Sequence, residues 1–218
     1  MSVLRQLLRR GLEAALPSRR FLVRGPSHSG AVALTFDDGP HPDITPRLLD
    51  ALGEQGIAAT FFIVGREAER HPALVRRIVA EGHCIGHHSW SHSEPSTTNI
   101  ATLMTEVSRC RSLLHELTGI SSDRFRPPKG QLTLGKLAAL LRAGQRIVLW
   151  SEDPKDYAVT EVTTLGRWAR TAPMKAGSIV LMHDTHPWCL DTIAPLRSRG
   201  RELGIRFVTL DAWLPASG

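Results

Sequence analysis

The sequence has few cysteines, no long apolar run and only a modest surplus of positive charge. Its 218 residues include three scattered cysteines, Cys84, Cys110 and Cys189, and no CxxC pair. An odd, scattered set of thiols argues against a disulfide framework and favours a reducing compartment. No stretch reaches the roughly 18 uninterrupted apolar residues that span a membrane. We therefore expect a globular domain whose stability comes from an ordinary apolar core.

The charge surplus is too small and too scattered to indicate a nucleic-acid partner. Lys and Arg number 27 against 21 Asp and Glu, which gives a net charge of +6, and no five-residue basic block occurs. Much of the surplus lies in the first 24 residues. We interpret it as a basic surface that aids solubility. Nothing in the sequence indicates an oligomeric state.

The N-terminal segment has helical apolar spacing that arginines interrupt, with leucines at Leu4, Leu7, Leu8, Leu12 and Leu16. The pattern predicts an amphipathic basic helix and lead-in over residues 1–27. Because the apolar core of a signal peptide is missing, we expect a cytoplasmic location. Peripheral contact with an anionic membrane is one interpretation, but packing of the leucines on the following domain is favoured.

From residue 31 onward, short apolar runs alternate with stretches of helical spacing. Seven runs are predicted to be strands: 31–36, 59–64, 83–88, 123–128, 146–151, 178–183 and 205–210. Strands that alternate with helices indicate an α/β fold with a parallel sheet. Apolar strand centres fit either a barrel-like closed sheet or an open doubly wound one. No linker or repeat divides the chain, so residues 28–218 are predicted to form one domain.

Polar residues capable of chemistry follow five of these predicted strands: Asp37 and Asp38; His87, His88 and His92; Arg126; Asp153 and Asp156; His183 and Asp184. The carboxyl ends of parallel strands meet at one rim of a barrel or one crevice of an open sheet, where catalytic groups gather. The sequence therefore predicts a single site at that rim.

The stretch "TFDDGPHPD" places two carboxylates side by side at the end of an apolar run. Such a pair is costly unless it is compensated or binds a cation. In "GHHSWSHSE", His88 and His92 are four residues apart, which on a helical turn would place both imidazoles on one face. Two histidines and one carboxylate form an open site for Zn²⁺ or a similar ion. The second Asp could then serve as general base, and His183 could serve as general acid.

Five short motifs resemble those of one enzyme family. "TFDDGP", "HSWSH", "RPPKG", "DPKDY" and "LMH" are similar, in order and approximate spacing, to the motifs of the NodB-type polysaccharide deacetylases, carbohydrate esterase family four. The resemblance covers about residues 28–212. It implies a distorted (β/α) barrel with fewer than eight strands, here about seven. It also implies a catalytic domain that removes acetyl groups from N-acetylated or O-acetylated sugars of polysaccharides or oligosaccharides. The expected cofactor is Zn²⁺ or another divalent transition metal such as Co²⁺ or Ni²⁺.

The resemblance also implies a role for individual residues. Asp37 would be the general base, and the metal ligands would be Asp38, His88 and His92. Arg126 would hold the base in place, and His183 would be the general acid. One acid of "DPKDY" would orient that histidine, with Asp153 favoured over Asp156. In the implied mechanism, a metal-bound water attacks the acetyl carbonyl while Asp37 takes its proton, and His183 protonates the departing sugar atom.

Three positions depart from the family pattern and bear on the substrate. Lys129 and Tyr157 stand where the family usually has an aromatic residue and Trp, and His87 stands where Asn is common. The predicted substrate-binding residues are Pro127, Lys129, Tyr157, Leu181 and Trp188, while Trp90 and Trp150 are further candidates for stacking on sugar. Two alternatives stay open: a metallohydrolase on the same scaffold that cleaves another amide or imide C–N bond, and a sugar-binding relic without activity.

Overall fold

The computed structural model describes residues 11–159 and 162–215. Within these ranges the strands form a single eight-stranded sheet. Their bounds are β1 Phe21–Leu22, β2 Ala31–Asp37, β3 Thr60–Ile63, β4 Cys84–His87, β5 Arg124–Phe125, β6 Arg146–Val148, β7 Ile179–His183 and β8 Arg206–Val208. All seven predicted strands are present. The sequence analysis missed β1, because two residues are too short to display an alternating pattern.

The sheet is parallel and closes into a distorted barrel. The strand order is β1-β6-β5-β4-β3-β2-β7, with β8 beside the first half of β2. A bridge between Glu152 and Val180 brings the chain that follows β6 next to β7. The Leu181 N–H donates to the Glu152 carbonyl there at 2.9 Å. This contact joins the segment after β6 to β7, which lies at the far end of the strand order, so the barrel-like alternative is confirmed over the open sheet.

Helices cover the outside of the barrel. They are α1 (residues 11–15), α2 Ile44–Glu54, α3 Gly65–Arg70, α4 Pro72–Ala80, α5 Ile100–Thr118, α6 Leu134–Arg142, α7 Val162–Thr171 and α8 Leu190–Glu202. The long helix α5 begins where the Asn99 side chain accepts a hydrogen bond from Thr102 N–H at 2.8 Å. It ends at Gly119, whose φ of 72° is the left-handed conformation that glycine adopts without strain. In the described ranges, no helix is both long and apolar enough to cross a membrane.

Alternation along β2 separates the outer core from the barrel interior. All seven residues of β2 are buried. Val32, Leu34 and Phe36 pack in the apolar cluster beneath the helices, and the Phe36 and Phe61 rings stack with centroids 5.2 Å apart. The intervening residues face inward, where Ala33 lies in the interior cluster and Asp37 ends the strand. The period of two in a strand therefore directs the Asp37 side chain into the mouth of the barrel.

The predicted basic helix lies mostly in residues 1–10, outside the described residues. In the part that is described, Leu12 and Leu16 pack against an apolar cluster that includes Phe21 and Leu140. This contact agrees with the favoured packing of the segment on the domain. The boundary at residue 27 and the absence of lipid contact stay predictions. All three cysteines are free and buried.

Candidate metal and catalytic site

The predicted site residues meet at the carboxyl ends of strands β2, β4, β5 and β7. Asp37 and His183 are register partners on β2 and β7. The His88 N–H donates to the Ile63 carbonyl at 2.8 Å, and the Arg126 N–H donates to the His87 carbonyl at 3.1 Å. Hydrogen bonds between the backbones of adjacent strands therefore fix where the reactive side chains lie.

Asp38, His88 and His92 form the one group of potential metal ligands found in the described ranges. Their ligand atoms all lie within 4.8 Å of one another. The Asp38 Oδ1 atom is 3.4 Å from the Nε2 atom of each histidine. The two imidazole centroids are 4.9 Å apart. The structure thus brings together the three residues that the sequence analysis selected as ligands.

The helical turn predicted for the two histidines is wrong. Residues 88–92 form an irregular loop after β4, in which Ser89 and His92 have φ values of 64° and 53°. These left-handed residues fold the chain back on itself, so His92 returns to the same side as His88 without a helical repeat. Left-handed backbone is rare outside glycine and costs free energy, so the surrounding contacts must offset that cost.

The group has the chemistry of a metal site. Asp38 Oδ1 is a buried oxygen with no hydrogen-bond partner. The His88 Nδ1–H can donate to the Arg126 carbonyl at 2.7 Å, which leaves the lone pair of Nε2 directed at the group. Burial also lowers the pKa of His88 to about 3, so its imidazole is neutral. An unpaired carboxylate oxygen and a neutral imidazole are what a divalent cation such as Zn²⁺ binds.

Arg126 holds Asp37 by one oxygen only. The Arg126 Nη1 atom donates to Asp37 Oδ1 at 2.7 Å and to Thr35 Oγ1 at 2.8 Å. Its Nη2 donates to the Leu149 carbonyl at 3.2 Å, and its guanidinium carbon lies 4.0 Å from the centroid of the Phe62 ring. Asp37 Oδ2 stays on the metal side, 3.8 Å from His88 Nε2. Burial raises the pKa of Asp37 in spite of the adjacent guanidinium, which favours its use as a base.

His183 is paired with Asp156, and the preference for Asp153 is wrong. The Nδ1 of His183 lies 2.7 Å from Asp156 Oδ1, and its backbone N–H donates to Asp156 Oδ2 at 2.7 Å. Asp153 instead accepts from the Lys155 N–H at 2.9 Å. Lys155 has a left-handed φ of 57°, and this bend turns the next residue, Asp156, back toward β7. Both acids were candidates because both belong to "DPKDY", and spacing alone could not reveal the direction of this bend.

Asp156 determines the protonation of His183. Burial opposes a charged imidazole, but the hydrogen bond and charge of Asp156, together with the charges of Asp37 and Asp38, outweigh it. They raise the pKa of His183 to about 9. At neutral pH the imidazole is therefore protonated, with Nδ1–H donated to Asp156 and Nε2–H free to donate elsewhere.

The predicted substrate-binding residues Tyr157, Lys129 and Pro127 have different surroundings. Tyr157 is exposed, and its ring lies edge-on to His183 with centroids 5.6 Å apart. Lys129 is exposed in left-handed backbone and forms an ion pair with Glu94. Pro127 is buried and lines an apolar groove of about 280 Å³ that also includes Trp150. This groove opens beside the loop that follows Arg126.

Four other predicted positions are not brought to the metal group by the contacts described. Leu181 is buried within β7, and Trp188 is half-buried in the short 3-10 turn Pro187–Cys189. Trp90 packs on the outer core with the Arg109 guanidinium 3.4 Å above its ring, so it does not offer an open face to sugar. His87 stacks on Phe125 and pairs with Gln145 at 2.8 Å, away from the ligands.

Sequence reasoning missed the supporting roles of two residues, although Asp184 was among the strand-end residues that it named. Asp184 is buried, accepts a hydrogen bond from Thr45 Oγ1 at 2.6 Å, and has its pKa raised to about 7 by burial. Its carboxylate fills the space beside Gly39, where an added Cβ would lie 2.0 Å from Oδ2. This contact explains the glycine of "DDG". A second missed residue, Glu106 of α5, contacts the loop that carries His92.

Comparison with known proteins gives one consistent result. A family model described as polysaccharide deacetylase matches residues 24–148. A peptidoglycan-N-acetylglucosamine deacetylase of Bacillus cereus is 34% identical over 213 residues, which cover 95% of this chain and 98% of the relative. A chitooligosaccharide deacetylase of a Bradyrhizobium species is 37% identical over 162 residues, covering 74% of each chain. The crystal structure of a peptidoglycan N-acetylglucosamine deacetylase superimposes with a TM-score of 0.85 at 31% identity, covering 90% of this chain and 94% of the other.

Proposed function

The chain belongs to the polysaccharide deacetylase family, and from that premise we propose that it is a metal-dependent hydrolase that removes acetyl groups from N-acetylated amino sugars. The observation that carries the proposal is the unpaired, buried Asp38 Oδ1, which lies 3.4 Å from two histidine nitrogens. A carboxylate held by an arginine and an imidazolium held by a carboxylate flank this group. Together these residues supply a metal site, a base and an acid.

Asp38, His88 and His92 are the residues that would hold the metal, and we assign Zn²⁺. Two imidazoles and one carboxylate are a common open set for catalytic zinc, in which the protein leaves coordination positions for water and substrate. An ion bound there supplies Lewis acidity toward the acetyl carbonyl and toward the attacking water. The charge of the ion also relieves the repulsion between Asp37 and Asp38.

Asp37 is the general base in this proposal. Arg126 occupies Oδ1, so Oδ2 is the oxygen that faces the metal group and can accept a proton from water. The buried guanidinium fixes the carboxylate by a direct hydrogen bond and is itself tied to Thr35 and to the Leu149 carbonyl. Arg126 therefore orients the base, while burial keeps the pKa of Asp37 raised.

His183 is the general acid. Its imidazolium, stabilised by Asp156, presents Nε2–H to the leaving nitrogen of the sugar. An amide needs this proton more than an ester does, because an unprotonated amine anion is a poor leaving group. The developing negative charge on the acetyl oxygen requires a hydrogen-bond donor, and the Lys129 backbone N–H is our candidate for it.

The names of the relatives indicate the substrate class. Those reported above act on peptidoglycan N-acetylglucosamine and on chitooligosaccharides. We assign this chain to β-linked N-acetylglucosamine glycans of the same kind. Exposed Tyr157 beside His183 is available to contact the acetylated sugar. The cytoplasmic location stays a prediction.

Acetate release tests the proposal. Purified chain would be incubated with chitooligosaccharides, peptidoglycan fragments and acetylated xylan, each with chelator, without chelator, and after Zn²⁺ is restored. We expect acetate from the first two substrates, loss with chelator and recovery with Zn²⁺. Activity that is unaffected by complete metal removal would contradict the metal role. Cleavage of other amides or imides, but of no sugar, would support the alternative metallohydrolase.

A further inference from the structure

We propose that Glu106 of α5 is a positioning residue that sets the metal affinity of the site by fixing the loop around His92. The inference rests on the proposed function, because it takes His92 to be a metal ligand. Glu106 lies 14 positions after His92 in the chain and belongs to a different element. Nothing in the five motifs singles it out.

Glu106 binds the residues on both sides of His92. Its Oε2 accepts the Ser91 backbone N–H at 3.3 Å, and its Oε1 accepts the Ser91 hydroxyl at 2.5 Å. Oε1 also accepts the Ser93 hydroxyl at 3.0 Å. One carboxylate therefore anchors a backbone amide and two hydroxyls that bracket the ligand. Hydrogen bonds to an ionised acceptor are the stronger kind.

The two histidines differ in how their rings are held. The Nδ1 of His88 is bonded to the Arg126 carbonyl, and that bond fixes both the tautomer and the ring plane. Within the described ranges, His92 makes no such side-chain bond. Its backbone N–H donates to Ser89 Oγ at 3.1 Å, and its φ is 53°. The direction of the His92 ring thus depends on the backbone of its loop.

The carboxylate of Glu106 does not serve its own helix. The first turn of α5 is capped by Asn99, and Glu106 lies in the interior of the helix. Its oxygens are used for the loop, so it is not itself a metal ligand. Among the described residues, it is the acid that fastens this left-handed segment to a rigid element. Groups that orient a ligand in this way typically alter metal affinity about 10–100-fold when they are removed.

The test measures metal binding itself. Zn²⁺ affinity would be determined by competition with a chromophoric chelator for the wild type, Glu106→Ala, Glu106→Gln and Glu116→Ala. Glu116 is the matched control, since it is an exposed glutamate of the same helix. We expect Glu106→Ala to bind Zn²⁺ about 10–100-fold more weakly. Glu106→Gln should recover part of this loss, because its amide oxygen can still accept from a serine. Glu116→Ala should match the wild type.

A second comparison separates positioning from general damage to the fold. In a His92→Ala background, the Glu106→Ala change should add no further loss of affinity, because the residue acts through His92. Circular dichroism of the metal-free variants would verify that each is folded, and Ser91→Ala with Ser93→Ala offers a milder route to the same loss. Unchanged affinity in Glu106→Ala, or an equal loss with and without His92, would overturn the inference. If the wild type itself bound no metal, the proposed function would fail instead.

Discussion

Replacing Asp156 by Asn would test the origin of acid catalysis. Asn keeps one oxygen that can accept from His183 Nδ1–H, but it loses the negative charge and cannot also accept the His183 backbone N–H that Asp156 Oδ2 accepts. In the wild type the pKa of His183 is raised from 6.5 to about 9. A difference of this size corresponds to about 3 kcal/mol in favour of the imidazolium. Most of that preference comes from Asp156, so the variant should have a markedly lower His183 pKa.

The sign of the effect follows from which form is active. In the proposed mechanism the His183 imidazolium donates the proton, so activity should fall as pH rises through the His183 pKa. In Asp156→Asn the alkaline limb of kcat/KM should move toward lower pH, and at pH 8 the loss should approach the ~10²–10⁴-fold that a general acid contributes. The stability that this pair contributes is full below pH 6.5 and is lost as pH rises to about 9. The stability difference between wild type and variant should therefore shrink with rising pH.

The assay is a pH profile of acetate release, with nuclear magnetic resonance titration of His183 as a direct measure of its pKa. Asp153→Asn is the matched control, because Asp153 contacts the Lys155 amide and not the imidazole. Its alkaline limb should stay in place. An unmoved alkaline limb in Asp156→Asn, or an equal shift in Asp153→Asn, would show that Asp156 does not set the protonation of His183.

Three further predictions concern the leaving group, the turn at Gly39 and the N-terminal contact. His183→Ala should keep a larger share of activity on an acetyl ester with a good leaving group than on a sugar amide, whereas Asp37→Asn should lose both alike; parallel rate measurements that give identical ratios would contradict these roles. Gly39→Ala should lower the free energy of unfolding by about 1–3 kcal/mol, because its Cβ would lie 2.0 Å from Asp184 Oδ2. Denaturant unfolding would test this, with Gly53→Ala as the control, since nothing lies within 4 Å of a Cβ at that position. Leu12→Ala should lower the free energy of unfolding by about 1 kcal/mol, because Leu12 packs on an apolar cluster, and it should not alter binding to anionic liposomes. A loss of liposome binding with unchanged stability would favour the membrane interpretation.

Much of the barrel could be predicted because apolar runs and strand ends are local patterns. The order of strands and helices predicts that Asp37, His88, Arg126 and His183 lie at one rim, and the structure agrees. The short strand β1 was not predicted, because two residues are too few to show an alternating pattern. The helical turn predicted at residues 88–92 is wrong, because a loop with two left-handed residues can also bring side chains four positions apart to the same side.

The remaining features depend on contacts between distant parts of the chain. Asp156 rather than Asp153 faces His183 because Lys155 bends the backbone, and a sequence does not reveal the direction of such a bend. In the sequence, Glu106 resembles any acidic residue on the surface of a helix. Its role becomes visible only in the fold, where α5 packs beside the loop of His92. Residues that bind directly can be found by motif, whereas those that orient them require the fold.

The most direct test of the account is the metal content of the purified chain and of His92→Ala, measured by elemental analysis. His92 is one of the three proposed ligands, and it is not part of the apolar core of the barrel. We expect one zinc-class ion per chain in the wild type and in Asp37→Asn, and little metal in His92→Ala, with circular dichroism unchanged in all three. Full metal occupancy in His92→Ala, or no bound metal in the wild type after incubation with Zn²⁺, would contradict the central claim.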